Sequence, residues 1–204
     1  MLGFIAMAQQ CAPVVDTRTM AALVRVESSF NPFAIGVVNG VLKRQPRSLQ
    51  EAVSTAQFLE AQGYNYSVGL AQVNRSNFRR YGLSIETAFQ PCLNLSAGSR
   101  ILADCFTSAR GRFPSDQHAL RAALSCYYSG NYTTGFRQGY VQRVVNSAGV
   151  SEVPPIPVVP AVLRAGQPLL NASGKSARPA GKPARGRVQT LDEGLDGQGT
   201  AVVF

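Results

Sequence analysis

The sequence contains no apolar run near the roughly 20 residues that a membrane-spanning helix requires, so no membrane span is expected. It has no CxxC pair and no Cys/His ligand spacing, which argues against zinc; no metal and no cofactor is expected. Its one histidine, His118, has no partner motif, so a helix-surface or core role outweighs a catalytic one. The arginines are scattered rather than striped and no nucleic-acid motif accompanies them, so nucleic acid is set aside as a partner. Nor does the start, MLGFIAMAQQ, make an export leader: it lacks a basic n-region and its apolar stretch is very short. A leader upstream of this start, or another export route, stays open.

What is present suits one domain with a core and a tail: 204 residues, 45% of them apolar. The net charge of +9 is divided unevenly. Residues 1–150 carry 14 basic and 7 acidic side chains, and residues 151–204 carry 6 and 4. A basic body attracts acidic polymers, anionic lipid or nucleic acid alike, so charge does not choose among them. Cys11, Cys92, Cys105 and Cys126 form an even set suited to two disulfides in an exported protein. Of the three pairings, one joining Cys92 to Cys105 is disfavoured, because that stretch of helix rises about 20 Å. Cys105 and Cys126 lie on successive predicted helices at similar distances from the turn between them. That favours Cys105–Cys126 with Cys11–Cys92; four buried thiols are the alternative.

Periodicity divides residues 1–150 into helices. Asp16 or Thr17 caps the first, which runs to about Ser28. Residues 31–47 read as loop, broken by Gly36, Asn39, Gly40 and Pro46. Ser48 opens a helix that ends at Gly63, with Val53, Ala56, Phe58, Leu59 and Ala61 on its buried side. The stretch YNYSVGLAQVN, residues 64–74, is too short and glycine-broken for a long element, and Gly69 would let the backbone approach something closely. A short helix follows over 76–81 and stops at Gly82. Leu95, Gly98, Leu102, Cys105, Phe106 and Ala109 mark another helix face. Asp116 caps the next, in which Leu120, Ala123, Leu124 and Tyr127 share a side, and a last one carries Tyr140, Val141, Val144 and Val145 to near Gly149. The one strand candidate is a short hairpin over residues 37–42. The fold class is therefore mainly α, a single domain over 1–150.

After Gly149 the composition changes. VPPIPVVPAV reads as extended chain. Residues 164–187 then carry six basic side chains and no acid among Gly, Ala, Ser and Pro, and Asp192, Glu193 and Asp196 make a small acidic end. Such a segment buries too little apolar surface to offset ordering entropy, so 151–204 is expected to be a disordered tail, either a plain linker or a binding segment.

The chemistry concentrates in MAALVRVESSFNP, residues 20–32. Met20, Leu23, Val24 and Glu27 fall on one helix face, so a carboxylate continues an apolar stripe. A poorly solvated carboxylate keeps its proton at neutral pH, which is what a general acid needs. Asn31 precedes Pro32 and so avoids helical geometry, which ends the helix beside a loop that a substrate can reach. The alternative is a solvent-facing or ion-paired carboxylate.

ESSFNP (27–32), GLAQVN (69–74), SCYYSGNY (125–132) and GYVQRV (139–144) follow in that order. Together they resemble the soluble lytic transglycosylase domain, a lysozyme-like fold, over about residues 10–148. The similarity is greatest to the peptidoglycan-cleaving component of type IV secretion and conjugation systems. The resemblance implies cleavage of the β-1,4 bond between N-acetylmuramic acid and N-acetylglucosamine, with the muramic C6 hydroxyl as nucleophile and a 1,6-anhydro product. One carboxyl then serves as acid and as base, whereas two-carboxylate glycosidases keep a second acid within about 5–9.5 Å. By this resemblance Glu27 is the acid/base and Ser28 contacts substrate. Gln72 bonds a sugar substituent, Tyr127 is the aromatic of an Ala-Tyr-Asn-Ala-Gly motif, and Tyr140 points toward the acid. Two positions depart from the pattern. Tyr128 stands where asparagine is common, leaving Asn131 as the candidate replacement for its amide, and Ala71 stands where methionine is common, which would widen the groove. The other acids of the body, Asp16, Glu51, Glu60, Glu86, Asp104 and Asp116, lie outside the matched motifs. The resemblance further implies glycan strands as substrate, a periplasmic location, and secretion-system components as partners of the tail. A water-using muramidase and a peptidoglycan-binding assembly factor are the competing readings.

Overall fold

The computed structural model describes residues 2–149, and the expected tail over 151–204 lies outside the described residues. Helix α1 (Leu2–Cys11) precedes α2 (Thr17–Ser28) and a short strand β1 (Ile35–Val37). Helix α3 (Leu49–Ala61) leads to β2 (Tyr66–Val68) and β3 (Val73–Asn74). Then come α4 (Phe78–Tyr81), α5 (Pro91–Arg110), α6 (Asp116–Ser129), α7 (Thr134–Arg137) and α8 (Tyr140–Ala148). The class is mainly α, as expected.

The helices start and stop for local reasons. Asp16 caps α2, its carboxylate accepting from the amides of Arg18 at 2.8 Å and Thr19 at 3.3 Å. Ser48 caps α3 by accepting from the Glu51 amide. At α6 the cap is Ser115, not Asp116: the serine hydroxyl accepts from the His118 amide, while Asp116 is the first helical residue. His118 itself is exposed, its Nδ1 2.8 Å from the same hydroxyl, in the helix-surface role its isolation suggested.

Residues 2–11, for which the sequence suggested no element, form α1. Ala8 and Ala12 are fully buried, and Cys11 is bonded to Cys92 at the start of α5. Cys105 and Cys126 join α5 to α6. Both pairings are those the spacing favoured.

The hairpin expected over residues 37–42 is absent. Residues 38–42 are turn and irregular chain, and β1 instead pairs antiparallel with the distant β2, Ile35 opposite Val68 and Val37 opposite Tyr66. The local hairpin is β2–β3, with Val68 opposite Val73, so the 64–74 stretch makes two of the three strands. Short strands in a helical frame leave little alternation to read. The buried side of α3 is Ala52, Ala56 and Leu59, whereas Phe58 is 61% exposed.

The core forms where α5 packs along α6 and where α2 lies between α1 and α8. Met20, Leu23 and Val24 of α2 are fully buried, as are Leu95 of α5, Leu124 of α6 and Val144 of α8. Burial of such side chains stabilises by about 1.5–3 kcal/mol each. It also fixes the direction in which α2 presents its next stripe position, Glu27. No described helix is long and apolar enough to cross a membrane.

Candidate active site

Glu27 occupies the last turn of α2, one turn beyond the buried Leu23 and Val24. The helix stops at Ser28 rather than at the Asn31–Pro32 step. Ser29 and Phe30 both adopt left-handed conformations, with φ of 52° and 64°. Each costs on the order of 1–3 kcal/mol for a non-glycine residue, so something must hold the turn. Two contacts do. The Ser29 amide donates to Arg25 O at 3.1 Å, closing the helix. The Phe30 ring is held edge-on by Phe4 of α1 at 4.9 Å, with the Arg25 guanidinium 5.6 Å over its centre. The chain therefore turns away as soon as Glu27 and Ser28 have been placed.

Tyr140, the first residue of α8, donates its hydroxyl hydrogen bond to Glu27 Oε1. Burial pushes the Glu27 carboxyl from an ordinary 4.5 up to about 7, against the Tyr140 hydrogen bond and the Arg143 charge, which both pull it down. Burial, and then the Glu27 charge, push the Tyr140 and Tyr127 phenols well above their ordinary value, so both stay neutral donors.

Tyr127 of α6 donates its hydroxyl to Ala71 O in the β2–β3 loop. Ser28 Oγ donates to the preceding carbonyl of that loop, Leu70 O, at 2.7 Å. Gln72, with φ of 47°, turns its carboxamide back into the same loop: Nε2 donates to Gly69 O and to Ala34 O, both at 3.0 Å. A Cβ at Gly36 would lie 2.8 Å from Gln72 Oε1, so that oxygen is closely covered by β1. Glu27, Ser28, Gln72, Tyr127 and Tyr140 are thus assembled around one loop and one helix end. Asn131 is not part of this assembly. It is exposed, and its Oδ1 accepts from the amides of Thr133 at 3.0 Å and Thr134 at 2.8 Å. Ala71 does not line open space either: it is fully buried, so a small residue here fills a packing contact rather than widening a groove.

Three residues of this assembly were given no part in the site from the sequence. Asn94 of α5, fully buried, accepts from the Ala71 amide at 2.7 Å and donates to Val68 O and Ala88 O. It ties the loop on which Tyr127 and Ser28 converge to α5 and to the turn at Ala88. Gly98, four residues later on the same face, lets α5 approach: a Cβ there would lie 2.5 Å from the Ala71 Cβ and 3.2 Å from the Tyr127 hydroxyl. An asparagine one turn before a glycine inside an apolar stripe was the available signal. Arg143, three residues after Tyr140 on α8, supplies the positive charge felt by Glu27.

The other acids of the described residues are engaged elsewhere. Glu51 pairs with Arg44, Glu60 with Arg75, Asp104 with Arg80 and Asp116 with Arg110. Asp16 caps α2, and Glu86 accepts from Ser84 and Gln57. The arrangement offers one carboxyl that burial keeps protonated up to near neutral pH, with a neutral phenol as its hydrogen-bond donor. Among the described residues no cluster of His, Cys, Asp and Glu could hold a metal ion.

Residues 4–147 match the transglycosylase SLT domain family. The chain is 56% identical over 168 residues to the type IV secretion system protein virB1 of Brucella suis biovar 1 (strain 1330), covering 79% of this chain and 70% of that protein. The protein of the same name from Brucella abortus biovar 1 (strain 9-941) matches at the same identity and coverage. Protein virB1 of Agrobacterium fabrum (strain C58 / ATCC 33970) is 36% identical over 155 residues, 75% of this chain and 62% of that protein. No solved structure gives a significant match.

Proposed function

The chain belongs to the transglycosylase SLT family, and from that premise we propose how it works and where. It is a lytic transglycosylase of peptidoglycan. Glu27 donates its proton to the glycosidic oxygen as the bond to the muramic anomeric carbon breaks. The resulting carboxylate then takes the proton of the muramic C6 hydroxyl as that oxygen closes on the anomeric carbon. A 1,6-anhydro end forms, no water is consumed, and Glu27 ends each turnover protonated, as it began. Tyr140 steadies the carboxyl in both states by donating to it. Ser28, Gln72 and Tyr127 shape the β2–β3 loop that borders the acid.

The observation that carries this reading is the solitary acid: a carboxyl raised to about 7 with a phenol as its direct partner, while of the six other described carboxylates four form ion pairs, Asp16 caps α2 and Glu86 accepts from Ser84 and Gln57. A two-carboxylate hydrolase needs a second acid across the groove. The names of the virB1 relatives support a setting in type IV secretion, in which the enzyme opens the wall locally for the apparatus. Action on peptidoglycan assigns the protein to the periplasm, and residues 151–204, basic and proline-rich, are assigned contacts with other components of that apparatus.

The test is mass spectrometry of muropeptides released by the purified full chain from isolated sacculi. Anhydro ends, lost in Glu27→Gln, are expected. Reducing ends would replace the mechanism with hydrolysis, and no release at all would leave a binding or assembly protein.

A further inference from the structure

Tyr128 follows Tyr127 on α6, so its side chain leaves the helix about 100° further round and emerges at the surface, 42% exposed. It comes out over Tyr140. The two rings stack with centres 4.5 Å apart and planes 19° apart. The Tyr128 hydroxyl donates to Gln138 Oε1 at 2.6 Å, in the turn that leads into α8. Arg143 donates to the Gln138 carbonyl at 3.2 Å and sits 5.8 Å over the centre of the Tyr140 ring. Tyr140 beneath this arrangement is 1% exposed. The outer ring takes the solvent contact and the inner one is sealed.

We propose that Tyr128 is a positioning residue: its ring roofs the Tyr140–Glu27 hydrogen bond, fixing the plane from which Tyr140 donates and keeping water off the acid. The inference rests on the reading of Glu27 as that acid. The charged and titratable groups facing Glu27 are Tyr140 and Arg143 from α8 and Tyr127 from α6. Tyr128 is the aromatic ring stacked on Tyr140, with the Arg143 guanidinium over that same Tyr140 ring. Burial is the largest influence on the Glu27 proton, so a residue that maintains burial governs it more than any single neighbouring charge. Stacked aromatic pairs are worth about 0.5–1.5 kcal/mol beyond their buried area, enough to hold one rotamer of Tyr140.

The test compares the full chain with Tyr128→Ala, Tyr128→Asn and Tyr128→Phe. The carboxyl 13C titration of Glu27, assigned by its loss in Glu27→Gln, is read alongside kcat and KM against pH. Without the ring, in Tyr128→Ala and Tyr128→Asn, Glu27 is expected to titrate about one pH unit lower. Near pH 7 kcat falls about fivefold while KM stays within about twofold. Tyr128→Phe, which keeps the stack and loses only the Gln138 hydrogen bond, restores both the titration and kcat. An unmoved titration in Tyr128→Ala and Tyr128→Asn overturns the proposal, as does a Phe variant that titrates like Ala. A raised KM at unchanged kcat also overturns it, making the ring a sugar contact instead. The NMR readout needs no turnover, so it separates this failure from that of the acid assignment, which Glu27→Gln with full activity would mark.

Discussion

The Tyr140 hydroxyl donates to Glu27 Oε1 across 113 residues of sequence, joining the last helix to the end of the second. The donor favours the charged carboxylate and burial favours the neutral acid, and burial is the larger of the two. The carboxyl is therefore poised near neutrality, which suits the proton donation and return proposed for it.

The pH profile follows from the direction of that shift. The proposed mechanism requires the protonated carboxyl, so kcat/KM should decline above about pH 7 with one ionisation, roughly tenfold per unit. Stability shares the sign. The folded value lies above the ordinary 4.5, so the contribution is complete below about 4.5 and is lost as pH rises through about 7. Glu27→Gln should match the wild type in denaturant midpoint at pH 4. At pH 9 it should exceed the wild type by about 1–2 kcal/mol, after discounting for the partial exposure of the residue.

Tyr140→Phe removes the donor but keeps the apolar cover. Its alkaline limb should move to higher pH, opposite to the shift expected from Tyr128→Ala, since the lost hydrogen bond had favoured the charged form. Loss of orientation should lower kcat by about 10- to 100-fold, the scale of one hydrogen bond to a charged group. Kinetics across pH 5–9 checks both.

Gly98→Ala sets two effects of opposite sign against each other. Removing a helical glycine gains about 1 kcal/mol. The added methyl would lie 2.5 Å from the Ala71 Cβ, and overpacking of that kind costs about 1–3 kcal/mol. The net expectation is a destabilised protein with its β2–β3 loop displaced from Tyr127. Urea unfolding together with kcat tests it.

The two disulfides should differ in worth. Cys11–Cys92 closes a separation of 81 residues and Cys105–Cys126 one of 21. Chain entropy assigns them about 4–5 and about 3 kcal/mol. Paired Cys→Ala replacements followed by thermal unfolding should rank them in that order.

The helices were legible because each carries its own signal. Asp16 and Ser48 begin theirs with a side-chain cap, and the 95–109 face of α5 repeats at helical spacing. The strands were not, since β1 depends on a partner 33 residues away (Ile35 on Val68), and three residues of alternation mean little without it. At the site, the stripe through Glu27 could be read from spacing. The sealing of its carboxyl could not, because Tyr140 and Arg143 arrive from the far end of the domain. For Gln72 and Asn131 the residue type suggested a sugar contact, while their carboxamides are largely occupied by nearby backbone, a competition invisible until the loops are folded. Asn94 was overlooked because a polar residue inside an apolar stripe reads as an interruption of it.

Tyr140 is the opening residue of α8, which follows every other described element in the chain. A polypeptide delivered amino end first thus carries its acid early and receives the partner of that acid almost last. Without α8 the Glu27 carboxyl loses its phenol donor, so a chain cut short before Tyr140 keeps the carboxyl but not the hydrogen bond that orients it.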